Sequence, residues 1–152
     1  MDPLLKNMIQ IGIVSSVNPE KCAVKVAFNS RDDSVSPELP VLVRGSLGTK
    51  DYWLPTVGEQ VVCISLPNGN ARGFVLGSFY SNVDKPSVTE EGKRQIAFED
   101  GTTIAYDQKT HELYIEVIEK ITIKAPKGIT LIADDPIGTG VSIVGKNTTG
   151  SW

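Results

Sequence analysis

Two pairs of neighbouring carboxylates, Glu90 with Glu91 and Glu99 with Asp100, are the side chains best suited by type to acid–base chemistry. A pair of acids hydrolyses glycosidic bonds when the carboxyl groups stand roughly 5 to 10 Å apart across a cleft. Adjacent residues of one strand point to opposite faces, so these pairs do not suit that geometry. We assign them to turns and solvated positions and predict no catalytic residue.

The chain holds one histidine and two cysteines, which leaves little for metal or nucleophilic chemistry. His111 has no second histidine or serine motif beside it, so we expect it at the surface or at the end of a strand. Cys22 and Cys63 lie in apolar, strand-like runs, and their spacing matches no disulfide or metal signature. They are predicted to be small buried apolar residues. The sequence therefore predicts no enzyme, no cofactor and no metal ion.

The sequence around the cysteines has the alternating apolar pattern of short β-strands. Cys22, Val24, Val26 and Phe28 alternate with Ala23, Lys25 and Ala27 and give one apolar strand face. About five such strands fall within residues 11–80, which fits a small closed barrel, and the OB type is the commonest. Residues 1–10 have helix-like apolar spacing and are predicted to form a short helical segment.

Residues 113–133 repeat a three-residue apolar pattern at an interval of eight, and we call this segment the eight-residue repeat. Within each set the apolar residues alternate with mostly polar ones, as in a short strand with one buried face. Segments 118–120 and 126–128 between the sets are suited to turns. The inward positions are Leu113, Ile115, Val117, Ile121, Ile123, Ala125, Ile129, Leu131 and Ala133.

Nothing in the remaining sequence is left over to cover the apolar face of this repeat. Burial worth roughly 25 cal/mol per Å² is forfeited unless copies of the same ribbon face one another. The repeat therefore predicts an intertwined oligomer. The alternative is one wall of a β-sandwich within a monomer, which needs a second apolar sheet.

Composition sets the broad class of the protein. The formal net charge is −3 and hydrophobic residues make up 40% of the chain, enough for a core. The negative balance argues against a general binder of nucleic acid or anionic membranes. No run approaches the roughly 20 apolar residues that cross a bilayer, and residues 4–13 lack the layout of a secretory signal. We expect synthesis and assembly in a cytoplasm.

A series of motifs resembles the baseplate assembly protein V, or central spike protein, family of contractile-tailed phages and related injection machines. No single motif is specific, but their order, their spacing and the repeat that follows are specific together. The motifs are Tyr-Trp-Leu-Pro at 52–55, Val-Gly-Glu-Gln-Val at 57–61, Leu-Pro-Asn-Gly-Asn at 66–70, Gly-Phe-Val-Leu-Gly-Ser-Phe-Tyr at 73–80 and Asp-Gly-Thr-Thr-Ile-Ala-Tyr-Asp at 100–107.

The resemblance implies an all-β chain with an N-terminal OB-type barrel at 11–80, followed by a C-terminal intertwined trimeric β-helix or β-prism at 95–137. A polar linker at 81–94 separates them, and 138–152 form the tip. The implied protein is a homotrimer in the virion tail baseplate, assembled in the bacterial cytoplasm. It meets hub and tail tube proteins and is driven into the host outer envelope when the sheath contracts.

The tip departs from the family pattern. Relatives commonly follow a Gly-Val-Ser-Leu/Ile stretch with His-x-His, and the histidines of three chains hold an iron ion. Here the stretch occupies 140–143, but the ligand positions fall on Lys146 and Thr148, which suit a transition metal poorly. We therefore predict no apical iron, and a tip that is packed by three apolar residues or capped by a separate tip protein. Those residues are Val141, Ile143 and Val144.

A second hypothesis is an OB-type module that binds oligosaccharide or single-stranded nucleic acid, with the repeat as an oligomerisation tail. Trp53 is the candidate stacking residue for such a ligand. Single-strand binders also need a positive groove, whereas Lys50 and Arg44 are balanced here by Asp51 and Glu59. Trp53 is instead expected to pack in the barrel or at a subunit contact, and no specific nucleic acid is predicted as a partner.

Overall fold

The computed structural model describes residues 2, 5, 7–29, 34–67, 72–134 and 140. The chain divides into two compact units, Met1–Ser87 and Val88–Trp152. All nine elements of regular structure in the described residues are β-strands, which confirms the all-β prediction. No helix in this described part is long and apolar enough to span a membrane.

The first unit is one antiparallel sheet of six strands. Its main path runs β3-β2-β1-β5-β6, and β4 pairs with β2. The strands are β1 Ile9–Asn18, β2 Ala23–Phe28, β3 Ser34–Val35, β4 Leu39–Pro40, β5 Gln60–Ser65 and β6 Gly73–Ser78.

Residues 39–42 close this sheet into a barrel. Leu39 and Pro40 pair with β2. The Val41 N–H then donates to the carbonyl of Cys22, just before β2, at 2.9 Å. The Leu42 N–H then donates to the carbonyl of Val75 on β6 at 3.0 Å. One short segment thus joins the two sides of the sheet and leaves the first unit consistent with the predicted OB-type barrel.

The interior of the barrel is filled by the alternate residues of its strands. Val24, Val26 and Phe28 are each no more than 5% exposed, which confirms the predicted apolar face of β2. The core cluster is Val14, Val24, Val26, Phe28, Leu39, Val41, Val61, Cys63 and Val75.

The two cysteines differ in their surroundings. Cys63 is fully buried in the core, as predicted. Cys22 is only partly buried and precedes β2 rather than lying within a strand. Its φ of 49° lets the chain turn so that its N–H donates to the Pro19 carbonyl at 3.4 Å, and its Sγ donates to the Trp53 carbonyl at 3.2 Å.

The segment 1–10, predicted as helical, is helical at the described Leu5 but ends in strand. Ile9 pairs with Ile64 and Gln10 with Cys63 in the β1–β5 ladder, and residues 7 and 8 form a turn. Pairing with β5 satisfies the backbone groups that one or two turns of helix would leave without partners. Residues 1, 3, 4 and 6 lie outside the described part.

The second unit holds a three-stranded antiparallel meander of β7 Lys93–Ala97, β8 Thr103–Asp107 and β9 Glu112–Glu116. The predicted turn at Asp100 and Gly101 joins β7 to β8. Gly101 has a φ of +94° and donates to the Phe98 carbonyl at 3.1 Å, and the Asp100 carboxylate accepts from the Thr102 N–H at 2.8 Å. The unit boundary falls within the predicted linker, and β7 begins at its last two residues.

His111 lies in the turn between β8 and β9 with a φ of 58°, which confirms its predicted place at a strand end. The Asp107 carboxylate organises this turn by accepting from the Lys109 N–H at 2.8 Å and the Thr110 N–H at 3.4 Å. The Lys109 hydrogen bond is the largest cause that lowers the pKa of Asp107.

A substitution at Gly12 on β1 tests how tightly the barrel is packed. A Cβ at this position would collide with Val26 Cγ1 and lie 2.6 Å from the Ala27 carbonyl oxygen. Gly12→Ala should therefore lower the free energy of unfolding by about 1 to 3 kcal/mol, measured by urea denaturation. Gly77→Ala on β6 is the matched control, since its Cβ meets nothing within 4 Å. Equal losses in the two variants would contradict this packing.

Cys63 should make the barrel less stable at alkaline pH. Burial raises the pKa of its thiol to about 11 from an ordinary 9.0, so the folded state disfavours the thiolate. The part of the free energy of unfolding that depends on the neutral Cys63 thiol is fully present below about pH 9. It is lost as the pH rises towards about 11. Wild type should lose about 2 kcal/mol more than Cys63→Ala over that interval, measured by urea denaturation at each pH. Cys22→Ala should behave as wild type, and an identical pH slope in Cys63→Ala would refute the assignment.

Candidate functional site

The meander has two chemically different faces because residues that pair across its strands point the same way. Arg94, Tyr106 and Leu113 form one paired row, and Ile96, Ile104 and Ile115 form the next row on that face. We call the five apolar members the apolar meander face. They are Ile96, Ile104, Tyr106, Leu113 and Ile115.

The apolar meander face is left exposed by the described residues of its unit. Its side chains are between 39 and 65% exposed. Three strands become independently stable only when an apolar face packs against something, and contiguous exposed apolar surface marks an interaction site. The face is therefore the main candidate for a functional surface.

The opposite face of the meander is polar. Its rows include Lys93 paired with Asp107 and, beyond it, Glu112. The Tyr114 hydroxyl donates to the Glu116 carboxylate at 3.0 Å, and this hydrogen bond raises the pKa of Tyr114. One sheet thus presents charged groups on one side and apolar groups on the other, as expected when one side meets water and the other a partner.

Sequence reasoning found only part of this surface. It placed Leu113 and Ile115 on the inward face but did not assign Ile96, Ile104 or Tyr106 to it. The alternation of these residues on either side of the Asp-Gly turn was the sequence pattern that could have assigned them to this face. That assignment requires the strand register across two tight turns, because the register fixes the face of every residue in the meander.

The rest of the eight-residue repeat continues beyond β9 without forming strands in the single chain. Its second and third sets are exposed, with Ile121 at 56% and Leu131 at 72%. The Gly128 N–H donates to the Ala125 carbonyl at 3.4 Å, which confirms the predicted turn at 126–128. In the described part of this unit there is no second sheet of the kind that a monomeric sandwich requires.

Trp53 belongs to the barrel, and it also lines a surface cleft with Leu42 and Arg44. Its indole N–H donates to the Leu42 carbonyl at 2.9 Å, and the side chain packs against the core cluster. This confirms the packing role predicted for it. A ring held in this way is a poor stacking platform for single strands.

Glu59 organises the loop before β5. Its Oε2 accepts from the Thr56 N–H at 2.7 Å and its Oε1 accepts from the Ser78 hydroxyl at 2.6 Å. Gly58, with a φ of +92°, donates to the Val14 carbonyl at 2.8 Å and ties the same loop to β1. The motif at 57–61 therefore holds the barrel together, beside an open cleft of about 820 Å³.

The acids considered for catalysis are dispersed. Asp100 caps a turn, Glu99 is exposed beside it, and Glu90 and Glu91 lie in the segment before β7. Nowhere in the described residues do three or more His, Cys, Asp or Glu side chains come together as metal ligands. The positions predicted for the tip, Val141, Ile143 and Val144, and the lost ligand positions Lys146 and Thr148 lie outside the described part.

Comparison with known proteins agrees with the motifs. Residues 10–80 match the family model of the type VI secretion system/phage-baseplate injector OB domain. Over 129 residues the chain is 30% identical to the spike protein of Escherichia phage P2, an alignment that covers 83% of this chain and 58% of that relative. The chain thus spans less than two thirds of the relative's length. These similarities confirm the resemblance that the motifs indicated.

The role of Glu59 predicts a specific loss of stability. Glu59→Ala leaves the Thr56 N–H and the Ser78 hydroxyl without their acceptor, which should cost about 1 to 2 kcal/mol in thermal or urea unfolding. Asp84 lines the same cleft, and its hydrogen bonds with Ser81 use its backbone N–H at 3.0 Å and its backbone carbonyl at 3.0 Å, which an alanine would keep. Asp84→Ala should therefore stay within about 0.5 kcal/mol of wild type. A Glu59→Ala protein as stable as Asp84→Ala would show that the loop does not depend on this carboxylate.

Proposed function

We propose that this protein is the central spike of a contractile-tail baseplate, because residues 10–80 match the model of the type VI secretion system/phage-baseplate injector OB domain. In this proposal three copies form a needle on the tail axis, and contraction of the sheath drives the needle through the target envelope. The protein acts mechanically and carries out no catalysis.

The observation that carries the proposal is the uncovered apolar meander face, followed by the exposed sets of the eight-residue repeat. Sister copies are the simplest cover for this surface, because each brings an identical apolar strip with the same spacing. The polar face with Lys93 and Glu112 then points outward to water. Burial of the inward side chains at roughly 25 cal/mol per Å² supplies the free energy of association.

The edges of the meander support assembly with sister copies. Within the described chain β7 and β9 each pair on one side only, so each leaves a row of backbone groups without a strand partner. Free edges aggregate or fray unless they are paired or covered. A needle that closes on itself satisfies these groups along its length and gains the stiffness that puncture requires.

The proposed location is the virion tail baseplate after assembly in the bacterial cytoplasm. Hub and tail tube proteins are the proposed partners of the barrel. At the far end, packing of the tip residues or a separate capping protein takes the place of the iron site found in relatives. The similarity to a phage spike protein supports the baseplate role.

The competing function, an OB-type binder of oligosaccharide or single strands, has less support because Trp53 is committed to the barrel. Titration of a labelled oligonucleotide at several salt concentrations separates the two. The spike proposal expects no binding whose affinity falls with rising salt.

The inward assignment of the repeat is tested by placing a charge at one of its positions. Ile123 is 70% exposed in the single chain and is predicted to face the trimer axis. Ile123→Asp puts three carboxylates together in an apolar interior, so it should abolish a stable trimer in sedimentation experiments.

The control is Ile132→Asp, because Ile132 occupies an outward position of the repeat and is 85% exposed. This variant should sediment as wild type does. An unchanged trimer in Ile123→Asp would refute the inward assignment.

A further inference from the structure

The open cleft of about 820 Å³ beside the loop before β5 has a size that suits a ligand. Pockets that hold small ligands occupy roughly 300 to 1,000 Å³, so the cleft has room for a short peptide segment. Its lining comes from residues 56–60 and 78–80 and from Asp84. These segments all belong to the first unit, and the structure describes them without a gap from 54 to 62 and from 76 to 88.

Three apolar side chains of the lining are exposed in the single chain. Val57 is 56% exposed, Phe79 is 40% exposed and Tyr80 is 66% exposed. An aromatic ring attracts cations to its face because its π-electrons give that face a partial negative charge. The two aromatic residues therefore offer the cleft a surface for apolar groups and for a cation.

The charged side chains of the lining are carboxylates, Glu59 and Asp84. The hydrogen bonds that Glu59 accepts from Thr56 and Ser78 use two of the roughly four acceptor positions of a carboxylate. Lys85 follows Asp84 in sequence but does not line the cleft in the described structure. The cleft thus combines negative charge with aromatic surface, and a cation complements both.

Both walls of the cleft are held by hydrogen bonds within the first unit. On one wall the Gly58 N–H donates to the Val14 carbonyl at 2.8 Å. On the other wall the Ser81 N–H donates to the Asp84 carbonyl at 3.0 Å, and the Asp84 N–H donates to the Ser81 hydroxyl at 3.0 Å. A site that is already ordered loses less conformational entropy when a ligand binds.

We propose that this cleft binds an arginine side chain carried by an extended segment of a partner protein. The guanidinium donates to the carboxylates of Asp84 and Glu59 and stacks on Tyr80. Apolar residues beside the arginine pack on Val57 and Phe79. Arginine fits better than lysine because its planar fork matches a carboxylate and also stacks on an aromatic ring.

The charge of the cleft decides between this ligand and others. A neutral saccharide could stack on the aromatic residues but would leave the two carboxylates without a counter-charge. The phosphates of a nucleic acid would be repelled by the same carboxylates. The proposal rests on the first unit alone and holds whether or not the chain forms a spike.

Titration of the full chain with three short peptides tests the ligand class, with binding followed by the amide chemical shifts of the protein. The probes are acetyl-Leu-Arg-Leu-amide, the same peptide with lysine, and the same peptide with citrulline, which has nearly the shape of arginine without its charge. The arginine peptide should bind at least about tenfold more tightly than the citrulline peptide, and more tightly than the lysine peptide. No measurable binding, or equal affinity for either substitute, would overturn the proposal.

Variants then assign the binding to this cleft. Asp84→Asn removes one charge and should weaken the arginine peptide at least about tenfold. Tyr80→Ala removes the stacking surface and should weaken it about threefold or more. Asp51→Asn and Tyr52→Ala make the same changes at residues outside the cleft, and Tyr52 is 61% exposed, so both should keep wild-type affinity. Wild-type affinity in Asp84→Asn or Tyr80→Ala would contradict the assignment.

Two further measurements identify other occupants. The arginine peptide should bind more tightly than maltohexaose, and the opposite order would make the cleft a saccharide site. The mass of Tyr80→Ala by light scattering should equal that of wild type. A smaller assembly would make the cleft a contact between copies of this chain and would overturn the proposal, whereas a wild type without a trimer would count against the spike alone.

Discussion

The organisation proposed for this protein follows from an apolar sheet face that the described residues of its own unit leave exposed. Ile96, Ile104 and Ile115 share one face of a three-stranded meander and remain exposed, while the opposite face is charged. A surface of this kind is stable in water only when another surface covers it. The proposed assembly with sister copies, and the mechanical role proposed from it, both depend on this difference between the two faces.

In the barrel, by contrast, apolar side chains are covered within one chain. Residues 39–42 bridge β2 and β6, so its apolar residues face a closed interior and its sheet is joined on both sides. Two polar groups carry the exceptions to an apolar core. Glu59 ties the loop before β5 to its neighbours and so stabilises the fold, and the buried Gln10 Oε1 has no donor among the described residues.

The parts of this architecture that depend only on residues close together in sequence could be predicted. The alternation of Val24, Val26 and Phe28 predicts a strand face, and Asp100 with Gly101 predicts a tight turn; both are confirmed. Prediction failed where distant pairing decides. Ile9 lies in strand because β5 pairs with it, and no local pattern reveals that partner. The burial of the polar Gln10 on β1 likewise becomes visible only in the folded barrel.

The central claim is that identical chains cover the apolar meander face and the eight-residue repeat. The most direct test is the mass of the full wild-type chain by light scattering at micromolar concentration. We expect a single species with three times the 16.4 kDa mass of one chain. A compact species with the mass of one chain would contradict the account, because the exposed apolar side chains would then need cover from within the monomer.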